Sequence, residues 1–360
     1  MHIFLTAQIS ATSMDQAYAD YWAETEVVSD LPYEAVLRHG GASRPIYLRI
    51  ETVNTCNNNC IICAYRDQSR AKAIMPMPLF RKGVLDYAEM GGGFLSLTPL
   101  VGDVLLDRYL LERLQFLQTV PEIRSLGVTT NGAMMHRFDD AELATILQSF
   151  DRLSLSIYGT DALEYEAMTQ KPTYHRMLDG IRRVLEFYPN KVSLEFRLLH
   201  KKTTEELHDW VIREVRPSLG SRASSDVYFI NSVITDYANW GIYDSNNTPL
   251  PGEARWFQSQ KQDERPQCLI PLFACIIFSN GNVSFCPCDN FDDTEELRLG
   301  NIREQRLVDL YNSPTVRRLW NWRSCGTPEF CKSCSFHIGL DLLHRDPTIL
   351  TDPHKIVGAG

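Results

Sequence analysis

Ten cysteines occur in the chain, and their spacing is the first chemistry the sequence offers. Cys56, Cys60 and Cys63 stand within eight positions, in the stretch ETVNTCNNNCIICAY. No other follows until Cys268; after it come Cys275, Cys286, Cys288, Cys325, Cys331 and Cys334. The start of the chain has no positively charged segment ahead of an apolar run, so it does not read as a secretion signal, and a cytoplasmic location is expected. In a reducing cytosol two such clusters point to metal ligation rather than disulfides. Zinc sites and buried free thiols are the competing readings. A four-iron cluster normally takes four thiolates, so a group of three leaves one iron open to a ligand from outside.

The triad needs a scaffold. β-branched and apolar residues over 46–54 predict a strand that runs straight into Cys56. Further strands are predicted over 92–100, 125–132, 152–159, 191–200 and 226–234. Amphipathic helices are predicted between them, over 77–90, 105–117, 139–149, 174–188 and 204–215. Strands alternating with helices imply parallel strands joined by right-handed crossovers. The fold class is therefore α/β, a partial (β/α)6 TIM-like barrel with a small C-terminal cysteine-rich, cluster-binding domain. The expected division is an N-terminal extension (1–45), the barrel (46–235), a linker or lid (236–262), the cysteine-rich domain (263–345) and a tail (346–360). Residues 19–38 read as a helix and turn packed on the barrel. Active sites of such barrels sit in loops at the C-terminal ends of strands, where the triad falls.

C-x3-C-x2-C after the first strand of a six-unit partial barrel resembles the signature of the radical S-adenosylmethionine (SAM) superfamily. The resemblance implies a [4Fe-4S] cluster on Cys56, Cys60 and Cys63 whose open iron is chelated by the amino and carboxylate groups of SAM. It also implies reductive cleavage of SAM to a 5'-deoxyadenosyl radical that abstracts hydrogen from substrate. The family's Gly-Gly-Glu-like turn after its second strand has a partial counterpart in TPLVGDVLLD, where Val101 replaces the first Gly and Asp103 replaces Glu. Carbonyls around Val101 and Gly102 would then hold the ammonium of SAM. VTTNG resembles the family's third-strand ending, with Thr130 and Asn131 expected to point into the barrel mouth. SLSIYG resembles its fourth strand, and Ser156, with Ser154 on the same face, is expected near the ribose. Arg197 on the fifth strand suits a carboxylate, that of SAM or that of a structural ion pair. The aromatic residue usual before the third cysteine is replaced by Ile62, so adenine is expected against Ile62 or Tyr65.

The later cysteines resemble the SPASM, or twitch-like, extension of the same superfamily. Cys268, the GNVSFC turn ending at Cys286, the LGNI segment, the DLYNS helix and the final Cys331-x2-Cys334 follow in its order. The two resemblances together span residues 46–340. They imply at least one auxiliary iron–sulfur cluster, expected on Cys268, Cys286, Cys331 and Cys334. Seven cysteines cannot fully ligate two such clusters. Cys275, Cys288 and Cys325 are left as buried thiols, an incomplete second cluster, or hydrogen donors to a product radical. The auxiliary cluster would accept an electron from a substrate radical or assist the substrate directly.

Composition excludes some partners. The net charge is −9 with no basic stripe, which argues against nucleic acid. No apolar run approaches the roughly 18 residues of a membrane span. The resemblance implies a peptide or protein matured by oxidation, crosslinking or epimerisation, or a small carbohydrate or aminocyclitol in natural-product biosynthesis. The 45 residues ahead of the barrel are too few for a leader-binding domain, which points to small molecules or to a separate leader-binding protein. Flavodoxin or ferredoxin is the expected electron donor. A non-catalytic iron–sulfur carrier or scaffold is the alternative of another class.

Overall fold

The computed structural model describes residues 38–39, 42–215, 227–257 and 263–339. The helix and turn expected over 19–38, nearly all of the N-terminal extension 1–45 and the tail 346–360 fall outside the described residues.

Strands β1 (Tyr47–Ile50), β2 (Gly93–Ser96), β3 (Ile123–Thr130), β4 (Arg152–Ile157), β5 (Val192–Arg197) and β6 (Tyr228–Ile234) lie side by side in chain order. All neighbouring pairs among them are parallel. Helices α1 (Met77–Glu89), α2 (Leu110–Leu117), α3 (Asp140–Gln148), α4 (Ala162–Thr169), α5 (Tyr174–Phe187) and α6 (Thr204–Trp210) fill the crossovers. Every residue of β5 is buried, as a strand covered on both faces must be. Strand alternation divides its sequence between two environments. Phe196 meets Trp210 of α6 edge-on at 5.6 Å, so this face looks toward the helices. Ser193, Glu195 and Arg197 take the opposite face, inside the barrel.

The cysteine-rich domain does not stand apart from this sheet. Strand β9 (Ala274–Ile277) pairs in parallel with β1, Cys275 opposite Leu48 and Ile277 opposite Ile50. Strands β10 (Asn282–Ser284) and β11 (Arg298–Asn301) add antiparallel beyond it, giving nine strands in one sheet. The C-terminal domain thus extends the sheet past the β1 edge of the partial barrel.

Three expectations change in detail. The helix expected over 105–117 is a 3-10 turn at Val104–Leu106 followed by α2. Asp107 interrupts it: one carboxylate oxygen accepts the Tyr109 N–H at 2.9 Å and the other pairs with Arg113 at 2.6 Å. The helix expected over 204–215 changes to a π turn at Val211–Val215. Helix α4 was not expected at all. It buries Tyr165 and Met168 together with Glu164 and Thr169 while Leu163 is 84% exposed, so burial does not follow an apolar pattern. Between the domains, β7 (Asp236–Ala238) and β8 (Arg255–Phe257) form a short parallel pair, and Tyr237, Trp240, Tyr243 and Trp256 are buried. The segment is a packed strap over the described part of 236–262.

One ion pair ties the barrel, the triad loop and the C-terminal domain. Glu51, just past β1, takes two hydrogen bonds from Arg70 at 2.6 and 2.8 Å, and its side chain has no solvent exposure. Arg70 also donates to the Phe291 carbonyl at 2.8 Å, and Ser279 donates to Glu51 at 3.2 Å. Removing one partner leaves an uncompensated buried charge. Arg70→Ala is expected to cost about 3–5 kcal/mol in urea unfolding. A loss below about 1 kcal/mol, the range of exposed pairs, would contradict this placement.

Candidate active site

The loop that leaves β1 is held from several sides. Asn54 accepts the Ala73 N–H at 2.6 Å and donates to the Ala71 carbonyl at 2.9 Å, closing the base of the loop. Asn59 and Ile61 donate their N–H groups to Thr169 and Met168 at the end of α4, both at 2.9 Å. The Cys63 N–H reaches the Cys60 carbonyl at 3.1 Å, so these two cysteines sit on one turn. From the strap, Trp240 donates its indole N–H to the Ile62 carbonyl at 3.0 Å. Tyr243 donates to the Cys63 carbonyl at 3.3 Å and makes a short hydrogen bond to Asp67.

Cys56, Cys60 and Cys63 line one cavity at the C-terminal ends of the six strands; open solvent included, it encloses about 1110 Å³. Burial pushes all three thiols up, Cys63 to about 11. Next in weight for Cys56 is the Asp103 carboxylate, and for Cys60 the other two thiols. Three thiolates gathered here therefore repel one another unless positive charge is placed among them. Soft sulfur donors in a pocket that penalises their negative charge are a donor set suited to iron, whose binding would expel their protons. Among the described residues no group of His, Cys, Asp or Glu side chains is arranged as ligands of a single metal ion.

The cavity also gathers most of the residues expected near SAM. Ile62, Tyr65, Val101, Gly102, Asp103, Thr130, Asn131, Ser156 and Arg197 all line it. Ser154 does not; it is buried lower on the same face of β4, opposite Ser193. Gly102 has φ +150°, and a Cβ there would stand 3.0 Å from the Val53 carbonyl oxygen and 3.1 Å from that of Thr55. Glycine is thus needed for β2's loop to approach the triad loop. Asp103, expected as the counterpart of the family's Glu, spends its carboxylate internally. It accepts from the Leu105 N–H at 3.0 Å, the Asn131 N–H at 3.0 Å and the Thr130 hydroxyl at 2.8 Å. It fastens the ends of β2 and β3 together. Burial nonetheless raises its pKa above the usual carboxylate value.

Arg197 already holds a carboxylate, Glu195 at 2.8 Å, with both side chains buried. Burial opposes its charge, but Glu195 and Tyr158 hold the guanidinium protonated. Its Nη1 is buried and makes no hydrogen bond among the described residues. Tyr158 was not singled out from the sequence, yet it lines the cavity, and the alternation that selects Ser154 and Ser156 would have selected it. Tyr237 and Trp240, aromatic residues of the segment read as a linker or lid over the mouth, line it as well, together with Asp236, which no local sequence signal marks.

A second cavity of about 380 Å³ lies in the C-terminal domain. Cys268, Cys286, Cys331 and Cys334 line it, joined by Cys288. The Cys288 N–H donates to Cys286 Sγ at 3.4 Å. Cys286 is pulled down to about 7, first by a hydrogen bond from the Cys288 side chain and, against burial, by the N–H groups of 288–290. Cys275 sits on β9 inside the core, and Cys325 is exposed. None of Cys275, Cys288 and Cys325 lines the first cavity, where a hydrogen donor to a product radical would have to stand. Phe336 lines both cavities, and its N–H donates to Cys334 Sγ at 3.3 Å.

Comparison with known proteins agrees with this layout. The family model of the radical SAM superfamily matches residues 50–211, and that of the SPASM iron–sulfur cluster-binding domain matches residues 268–335. Human molybdenum cofactor biosynthesis protein 1 is 25% identical over 225 residues, covering 59% of this chain and 32% of that protein. GTP 3',8-cyclase of Mannheimia succiniciproducens is 24% identical over 175 residues, covering 46% of this chain and 49% of the enzyme. The chain thus spans about a third to a half of the length of these curated relatives. Among solved structures, SuiB of Streptococcus suis bound to the precursor peptide SuiA superposes with a TM-score of 0.53 at 13% identity, covering 92% of this chain and 77% of SuiB. BtrN in complex with AdoMet and 2-DOIA gives 0.51 at 15% identity, covering 81% of this chain and 93% of BtrN. At such identities the two structures speak for the fold alone. Among the described residues, no helix is long and apolar enough to cross a membrane. The chain belongs to the radical SAM superfamily, with SAM and a [4Fe-4S] cluster as cofactors, and carries a C-terminal SPASM domain for auxiliary iron–sulfur clusters.

Proposed function

We propose that this protein is a cytoplasmic radical SAM enzyme that removes a hydrogen atom from a C–H bond of a peptide or protein. Residues 46–235 are its catalytic barrel and 263–345 its auxiliary cluster domain. Cys56, Cys60 and Cys63 hold the cluster that SAM completes. The observation that carries this reading is the single cavity that all three thiols share with the loop after β2 and with the ends of β3, β4, β5 and β6. When bound, the cluster and SAM supply the 5'-deoxyadenosyl radical.

The chain's own residues bind and orient. Gly102 lets backbone carbonyls approach the cofactor's ammonium, and Asp103 holds that loop against β3. Arg197 Nη1 would offer a buried donor to the carboxylate of SAM, and Ser156, which lines the cavity, would meet its ribose. Ile62, Tyr237 and Trp240 supply apolar surface to the cavity wall. Phe336 lines both this cavity and the auxiliary one, a closeness that favours a net oxidation over a redox-neutral outcome. The peptide reading rests on the SPASM domain over residues 268–335 and brings with it leader recognition by a separate protein and flavodoxin or ferredoxin as donor. A small carbohydrate or aminocyclitol is the second reading. It is favoured by the strap, whose Trp240 and Tyr243 are latched across the mouth to the triad loop.

Two measurements test this. The anaerobically reconstituted, reduced protein is expected to convert SAM to 5'-deoxyadenosine, and Cys60→Ala to lose that activity at least about a hundredfold, roughly 2.7 kcal/mol in the barrier. A chain that assembles its clusters but does not bind SAM would instead be a carrier or scaffold. Iron and sulfide analysis tests the second centre. Cys334→Ser is expected to lose about four irons per chain. Cys325→Ser and Cys288→Ser are expected to keep the wild-type content; loss of iron in Cys288→Ser would make Cys288 a ligand.

A further inference from the structure

Asn131 follows β3 and is 5% exposed. Its side chain exchanges two hydrogen bonds with that of Asn57, between Cys56 and Cys60. Asn131 Nδ2 donates to Asn57 Oδ1 at 3.0 Å, and Asn57 Nδ2 donates to Asn131 Oδ1 at 3.2 Å. The same Asn131 Nδ2 stands 3.9 Å from Cys56 Sγ, within reach of a long N–H to sulfur hydrogen bond. Asn131 Oδ1 also accepts the Ala133 N–H at 3.0 Å, and its main-chain N–H is spent on Asp103. Asn57 Nδ2 further donates to Asn58 Oδ1 at 3.2 Å, and the Asn58 N–H donates to Cys56 Sγ at 3.5 Å. Asn58, 2% exposed, is itself anchored on the Tyr165 hydroxyl of α4 at 3.4 Å.

Both polar atoms of the Asn131 side chain are therefore committed: Oδ1 to Ala133 and Asn57, and Nδ2 to Asn57 and to the Cys56 sulfur. By contrast, the Cys63 sulfur takes an N–H from Tyr65 at 3.4 Å and no side-chain donor among the described residues. We propose that Asn131 is a positioning residue for Cys56, acting with Asn57 as one amide pair that fixes this sulfur and donates to it, rather than a contact of SAM. The proposal rests on the reading that Cys56, Cys60 and Cys63 hold the cluster. Hydrogen bonds to cluster sulfurs stabilise the more negative, reduced state and so raise its potential. Losing the pair makes the cluster harder to reduce before SAM arrives.

The test uses the full-length, reconstituted protein without SAM, followed by electron paramagnetic resonance during a reductive titration, with SAM affinity measured separately. Asn131→Ala and Asn57→Ala are each expected to lower the reduced-to-oxidised ratio about tenfold at a fixed potential, a shift of 59 mV for one electron. The double variant is expected to fall no further than either single one, because both break the same pair. SAM affinity is expected to stay within about twofold. An unchanged SAM-free potential in Asn131→Ala, with or without weakened SAM binding, overturns the proposal. Should Asn131→Ala fail to fold, Asn57→Ala, at a half-buried loop position, decides the point alone. If the wild type gives no reduced-cluster signal that Cys60→Ala abolishes, the ligand reading fails, and this inference with it. A signal present but indifferent to both asparagines removes the inference alone.

Discussion

A carboxylate without solvent contact, Glu51, stands where the first strand ends and the cysteine loop begins. Everything about the site depends on that charge being answered. Arg70 answers it from the far side of the loop, fixing where the loop returns after its three cysteines. The guanidinium also lies 4.5 Å over the Phe278 ring and reaches the Phe291 carbonyl, both in the C-terminal domain. Beside it Ser69 binds Asp292 through its hydroxyl at 2.6 Å, and Arg49 reaches the Pro287 carbonyl at 3.3 Å. The loop of the first thiol group and the loop of the second are thereby one connected piece. A buried pair of this kind gains little net stability over apolar packing, but breaking it is costly, so it specifies position more than it adds stability.

Electrostatics inside the barrel follow the same logic. Three thiols and the Asp103 carboxylate gather at one mouth, and burial makes each reluctant to ionise. The counterweights are Arg197 and donors aimed at sulfur. Glu195 holds Arg197 charged from below, so the β5 inner face carries an ordered ladder of serine, glutamate and arginine rather than a dry core. The field at the mouth is therefore set by few groups on rigid strands.

Much of this was legible in the sequence. Short, mostly apolar runs marked the six strands, because strands of a parallel sheet covered on both faces read as nearly continuous hydrophobic segments. The triad was legible because cysteine spacing is chemistry in itself. Other features had no local signature. Helix α4 buries Glu164 and Thr169, so periodicity could not show it, yet its end holds the Cys60–Cys63 turn. Asp103 looked free for a cofactor, but only the fold shows Thr130 and Asn131 consuming its oxygens. The pairing of β9 with β1, the wall formed by Phe336 and the arrival of Cys288 at the second cavity are contacts between distant segments. The segment 236–262 reads as a linker or lid with four aromatic residues, and only its contacts with the triad loop show that Trp240 and Tyr243 make it a packed strap.

The central claim is that the three thiols leave one metal position for SAM to complete. The measurement that reaches it most directly is electron–nuclear double resonance on the reduced protein with SAM labelled by 15N at its amine. A strong 15N coupling that appears with SAM and vanishes in a Cys63→Ala variant is the predicted result. SAM bound at full occupancy with no such coupling would mean that the triad does not present an open iron to it, and the account of the site would be wrong.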